Sequence, residues 1–201
     1  RSWRMRKAET GRKFPVVRAG FGFFLLLSLA LLLDAGGLTL KCIGAALLHE
    51  LGHLLAMAAC GVTVRSICLC PLGVRIERTE PTSLQREAFI NLSGPLVNLL
   101  LALIFYRAGN LSFSAVNCAL GLFELCPLPS LDGGQALFCL MQRHFCLKTA
   151  QKFCALVQGV TLLVVLVFGA VLLYRKKNVT LLLLAAALAV GLLVDRRKNN
   201  G

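Results

Sequence analysis

Five consecutive residues, His49-Glu50-Leu51-Gly52-His53, spell H-E-x-x-H inside a long apolar stretch. On a helix, positions four apart share a face, so His49 and His53 can grip one metal ion between them. Glu50 follows the first histidine and is placed to take a proton from a water that the metal activates. From about Leu38 to Cys60 the only charge outside the motif is Lys41. Ionisable groups at membrane depth are costly and mark functional sites by default. The chain has only three histidines, and two of them are in this motif. The bland alternative is a chance match in an apolar helix, which the membrane setting and an acid further along the chain argue against.

Two histidines do not complete a catalytic zinc site, which usually takes three protein ligands and keeps one position open. The best third ligand is Asp132, in Pro127-Leu128-Pro129-Ser130-Leu131-Asp132-Gly133-Gly134. The prolines interrupt a helix by removing backbone donors. The glycines let the backbone approach a neighbour closely. A carboxylate in so apolar a setting needs a partner, and a metal is a natural one. Asp132 can equally cap a helix beginning at Gly133, and the two roles are compatible.

The elements that must carry these residues are membrane helices. The chain has 201 residues, 57% hydrophobic and 15% charged, against about 25% charged in a soluble domain. Six apolar segments can be drawn: Val16–Leu33, Leu38–Cys60, Ala88–Tyr106, Leu111–Met141, Thr149–Tyr174 and Val179–Val194. A span needs ~20 residues. The fourth segment is long and must break at Pro127 and Pro129, which membranes tolerate only where protein or a water-filled cavity satisfies the backbone. Val62–Glu80 alternates loosely about Pro71-Leu72-Gly73 and predicts a short β-hairpin at the membrane surface. The expectation is an all-α membrane protein: about six transmembrane helices, a hairpin after the second and a proline-broken fourth. It forms one polytopic domain over residues 1–201, with a core at 20–140 and C-terminal helices over 149–194. The basic N-terminus followed by an apolar run is read as a retained first helix, since no small-residue cleavage site is clear.

The net charge of +13 would suggest nucleic acid in a soluble protein. Here the basic residues fall mostly between apolar runs, which points to topology and anionic lipid and excludes a nucleic-acid partner. With the N-terminus inside, the inner segments hold 17 of the 22 Lys and Arg residues, so the N-terminus is expected in the cytoplasm. Arg175-Lys176-Lys177 runs against that bias. The nine cysteines form no disulfide-like framework and read as small buried thiols. Cys68 and Cys70, two apart, share a strand face and are spaced more closely than zinc-binding pairs usually are. His144 follows Arg143 near an interface and reads as a surface residue.

HELGH at His49–His53 and the P-x-P-x-L-D-G-G stretch at Pro127–Gly134 resemble the site-2 protease (M50) family of intramembrane zinc metalloproteases. Gly94-Pro95-Leu96-Val97-Asn98 between them fits the family's G-x-x-x-N pattern. The small size, the expected six spans and the absence of a PDZ insertion look most like the stage IV sporulation FB branch. That branch cleaves a membrane-associated precursor of a sigma factor and often carries a C-terminal CBS domain, which is not expected here. The resemblance implies a zinc metalloendopeptidase of the bacterial cytoplasmic membrane, with Zn2+ as cofactor. Its partners would be a membrane-associated or single-span substrate, membrane regulatory proteins and the lipid bilayer. His49, His53 and Asp132 would be the metal ligands, Glu50 the catalytic base, and Glu124 and Asn98 substrate-binding residues. Family members commonly have Asn eight residues before the ligand Asp, where this chain has Glu124. A protonated Glu offers one donor and one acceptor, much as an amide does. Glu124 as a structural buried acid, and Asn98 as a group that merely bonds across helices, stand as alternatives. The hairpin offers an edge strand on which an extended substrate can pair. A non-cleaving zinc-binding scaffold is the second reading of the whole chain. A zinc transporter is the third, disfavoured because the cluster makes one tight site rather than a path of weak ones.

Overall fold

A computed structural model describes residues 16–19, 28–32, 34, 36–70, 73–78 and 82–176. The chain divides into two compact units, Arg1–Leu40 with Met57–Pro81, and Lys41–Ala56 with Thr82–Gly201.

The first unit holds a three-stranded sheet in the order β1-β2-β3, with β1 at Val16–Ala19, β2 at Val64–Cys70 and β3 at Gly73–Arg78. β2 and β3 pair antiparallel, with Ile67 opposite Ile76, which is the expected hairpin. β1 was not expected. It pairs parallel to β2, with Val17 beside Ile67. The first apolar segment, drawn as a helix from Val16, therefore opens as a strand, and its described helical part is 28–32. Hydropathy does not distinguish strand from helix, and the β-branched pair Val16-Val17 prefers the pleated surface.

The second unit is helical. Helix α1 covers Leu38–Ala59 and passes through both units. α2 covers Leu84–Arg107, α3 Leu111–Glu124, α4 Asp132–His144 and α5 Leu147–Lys176. The fourth apolar segment breaks where the prolines require, between α3 and α4. Among the described residues, three helices are long and apolar enough to cross a membrane: Leu38–Ala59, Leu84–Arg107 and Leu147–Val171, with Leu111–Glu124 a shorter apolar helix. Of the six expected spans, three are matched by described helices of sufficient length, and the last, Val179–Val194, lies outside the described residues.

The turn from α2 to α3 follows from local chemistry. Gly109 takes φ 80°, a left-handed conformation that costs glycine little. The amide of Asn110 then bonds Phe105 O and that of Gly109 bonds Tyr106 O, closing a Schellman cap. Asn110 next caps α3 by accepting from the amide of Phe113 at 3.2 Å. Within the helical unit the polar and small side chains face inward. On α1, Ala45, His49, Gly52 and His53 are buried while Leu47, Leu51 and Leu55 are exposed. An outer surface of leucines around a polar interior suits lipid as the surrounding solvent.

Candidate metal centre

Two helices and one helix start converge on the site. α1 supplies His49 and His53 from successive turns. α2 crosses them at its glycine. A Cβ on Gly94 would stand inside contact distance of His53 Nε2, 2.7 Å from His53 Cε1 and 2.8 Å from His49 Cε1. The missing side chain is the space the two imidazoles occupy. Gly52 allows the same close crossing from α1, since a Cβ there would lie 3.0 Å from Ser93 O and 3.2 Å from Gly94 Cα. α4 supplies Asp132 from its first position. Its place is fixed by backbone packing: a Cβ on Gly133 would lie 2.8 Å from Leu125 Cα, and one on Gly134 2.9 Å from Leu128 N. The Gly-Gly pair therefore presses the start of α4 against the segment that leaves α3.

Asp132 Oδ2 lies 3.0 Å from His49 Nε2 and 2.9 Å from His53 Nε2, and the two Nε2 atoms are 3.1 Å apart. Among the described residues this is the one group of three such side chains able to hold a metal ion. Both histidines are buried and Asp132 is half-buried. His53 Nδ1 lies 2.7 Å from Ile90 O. A carbonyl only accepts, so that nitrogen carries the proton and a neutral His53 turns the lone pair of Nε2 towards Asp132. Two imidazole nitrogens and a carboxylate oxygen meet at one point, and a cation between them would engage a lone pair from each. A tetrahedral zinc with ligand bonds of ~2.0–2.2 Å spaces its donors by ~3.3–3.5 Å. The observed spacing is close to that, and a His/His/carboxylate set is a known zinc donor set. The residues fit the ion.

Glu50 is half-buried, stays out of the donor group, and is near enough for the charges of His53, His49 and Asp132 to act on it. Glu124 ends α3 and faces the same three groups. Its carboxylate faces the backbone N–H of Asp132, a donor at the start of α4, where Leu131 supplies no side-chain cap. Asn98 lies on the same crossing of α2 with α1, one turn beyond Gly94. Its side chain is fully buried and donates to Ala45 O and to Asn117 Oδ1, so its amide offers no surface to a substrate. His144 is exposed at the end of α4. The sequence reading missed the carbonyl of Ile90 and the amide of Asn117. Asn117 did leave a signal, as the one amide side chain in a largely apolar helix.

The family model of peptidase family M50 matches residues 39–114, which include both histidines, Glu50 and Asn98. A zinc metalloprotease of Methanocaldococcus jannaschii is 26% identical over 61% of this chain and 39% of its own length. A candidate zinc metalloprotease of Synechocystis sp. is 32% identical over 62% of this chain and 34% of its own. The chain thus spans well under half the length of these curated relatives. The solved structure of the site-2 protease from Methanocaldococcus jannaschii superposes with a TM-score of 0.62, covering 87% of this chain and 88% of that one at 22% identity, which shows a shared fold. The chain is thus similar to peptidase family M50 over residues 39–114 and shares the fold of a solved site-2 protease.

Proposed function

We propose that the chain is an intramembrane zinc metalloendopeptidase acting on a membrane-associated or single-span protein. The observation that carries this reading is the convergence of His49 Nε2, His53 Nε2 and Asp132 Oδ2 beside Glu50, on helices whose outer faces are apolar. Zinc, when bound, supplies a Lewis acid that polarises a carbonyl and brings the pKa of water towards ~7. The chain's own residues do the rest. His49, His53 and Asp132 hold the ion and leave a position open for chemistry. Glu50 takes a proton from the attacking water as its oxygen bonds to the scissile carbonyl carbon. The same carboxyl then gives that proton to the peptide nitrogen as the C–N bond breaks, leaving a new carboxyl end and a new amine end. A substrate helix has to unwind first, because its own hydrogen bonds and packing shield the carbonyl. Glu124, at the position where the family resemblance expects Asn, lies near the three ligand residues and is proposed to meet the extended substrate backbone as well as Asp132.

The narrower reading is a protease of the bacterial cytoplasmic membrane with a cytoplasmic N-terminus, six spans and membrane regulatory proteins among its partners. Its substrate would be a sigma-factor precursor, as in sporulation. The bias of Lys and Arg between apolar segments and the resemblance to the stage IV sporulation FB branch support it.

The test is co-expression with candidate single-span substrates, comparing wild type with Glu50→Gln. General acid–base catalysis contributes about 10²–10⁴-fold, so cleavage should fall by at least about 10²-fold while zinc content persists. Wild-type cleavage by Glu50→Gln would sink the mechanism and favour a zinc-binding scaffold.

A further inference from the structure

Two buried polar atoms in the helical unit have no hydrogen-bond partner, His49 Nδ1 and Asn98 Oδ1. Buried groups of this kind are rare and call for an explanation. One of the pair is a donor when its ring binds metal through Nε2, and the other can only accept.

Their neighbourhood is shared. Ala45, His49 and His53 recur every four residues along one face of α1, and Ile90, Gly94 and Asn98 do the same along α2. The two rows meet in antiparallel order. His53 Nδ1 bonds Ile90 O at 2.7 Å, Gly94 faces both imidazoles, and Asn98 Nδ2 bonds Ala45 O at 3.3 Å. His49 therefore lies between the Gly94 and Asn98 rungs. Its Cε1, the carbon between the two ring nitrogens, lies against Gly94.

The orientation of the Asn98 amide is fixed by its contacts. Asn117 Nδ2 donates to Phe113 O at 2.9 Å, which turns Asn117 Oδ1 towards Asn98. Asn98 Nδ2 then faces two acceptors, Asn117 Oδ1 at 3.4 Å and Ala45 O. The carbonyl of Asn98 has to point the other way and is the free acceptor at the end of this chain of bonds.

We propose that Asn98 is a positioning residue for the metal centre: its Oδ1 accepts the Nδ1–H of His49 and so presents Nε2 to the ion. The inference rests on the metal-site reading above. It gives His49 the partner that Ile90 O gives His53. A ligand histidine usually has its second nitrogen held in this way, and losing that partner typically lowers metal affinity 10–100-fold. It also gives Asn117 a task at a distance, since Asn117 sets which way the Asn98 amide faces.

The test uses the full chain in detergent, loaded with Co2+ in place of zinc. The two Nδ1–H protons of the ligand histidines should appear as separate, slowly exchanging, paramagnetically shifted signals. Asn98→Leu, close in volume, should abolish the His49 signal, keep that of His53, and weaken zinc binding 10–100-fold. Asn98→Asp, which keeps an acceptor oxygen, should restore the signal and most of the affinity. Retention of both signals and wild-type affinity in Asn98→Leu would overturn the proposal. Should Asn98→Leu fail to fold, the wild type decides: rapid solvent exchange at His49 beside a protected His53 would also overturn it. A wild type that binds no Co2+ or zinc would sink the metal-site reading itself, and this inference with it.

Discussion

Gly94→Ala adds a single methyl group at the tightest point of the centre. The new Cβ would fall inside contact distance of His53 Nε2, at 2.7 Å from His53 Cε1 and 2.8 Å from His49 Cε1. Non-bonded carbon atoms rest at ~3.5–4.0 Å, so both imidazoles must retreat by roughly 1 Å. Zinc sites tolerate about ±0.2 Å in their ligand distances, so the displacement exceeds the tolerance about fivefold. The backbone effect runs the other way. Alanine is favoured over glycine within a helix by about 1 kcal/mol, while overpacking costs about 1–3 kcal/mol. Folding should therefore change little, and the loss should fall on the metal. Zinc stoichiometry of purified protein, read beside helical content, separates the two. We expect Gly94→Ala to keep its helices and to lose at least about 10²-fold in zinc affinity, the upper end of what loss of one supporting contact costs. Gly159→Ala is the control: no atom lies within 4 Å of a Cβ there, so zinc binding should be untouched. Stoichiometric zinc at wild-type affinity in Gly94→Ala would refute the packing argument.

Three further outcomes are expected. Glu124→Gln should keep zinc and activity, because an amide oxygen can face the N–H of Asp132 as the carboxylate does. Glu124→Ala should lose more cleavage than zinc, and equal, complete loss of the metal would place Glu124 in the ligand shell instead. Gly134→Ala should release the start of α4, because its Cβ would lie 2.9 Å from Leu128 N with backbone on every near side. Zinc binding should then fall although no ligand is altered, and limited proteolysis at residues 125–131 should accelerate; an unchanged digest would argue against it. Asp34 lies before α1 and accepts from the amides of Gly36, Leu38 and Thr39. Those bonds, that of Thr39 foremost, hold its carboxyl below the usual carboxylate range. A group lowered in the folded state stabilises above its unfolded pKa of about 3.9, and that contribution disappears as pH falls through the folded value. Amide exchange at Leu38 and Thr39, corrected for intrinsic rates, should therefore rise below about pH 4 in wild type. Asp34→Asn should show no such step, and a wild type without one would refute the cap.

The sequence by itself determined the parts of this protein that depend on local chemistry. H-E-x-x-H on an apolar helix specified a histidine pair, since four residues make close to one turn. Pro127 and Pro129 specified a break, since they lack the amides a helix needs. Alternation over Val62–Glu80 specified the hairpin. Tertiary structure alone decided what depends on two elements meeting. Val16–Ala19 is a strand because β2 offers it an edge, which no hydropathy window registers. Asp132 reaches the histidines because Gly133 and Gly134 seat α4 against Leu125 and Leu128, a contact between backbones that leaves no trace in side-chain type beyond the glycines. The buried amides of Asn98 and Asn117 acquire direction only when Ala45 and Phe113 supply carbonyls to face. A sequence lists donors and acceptors; which of them find each other is fixed by how the helices pack.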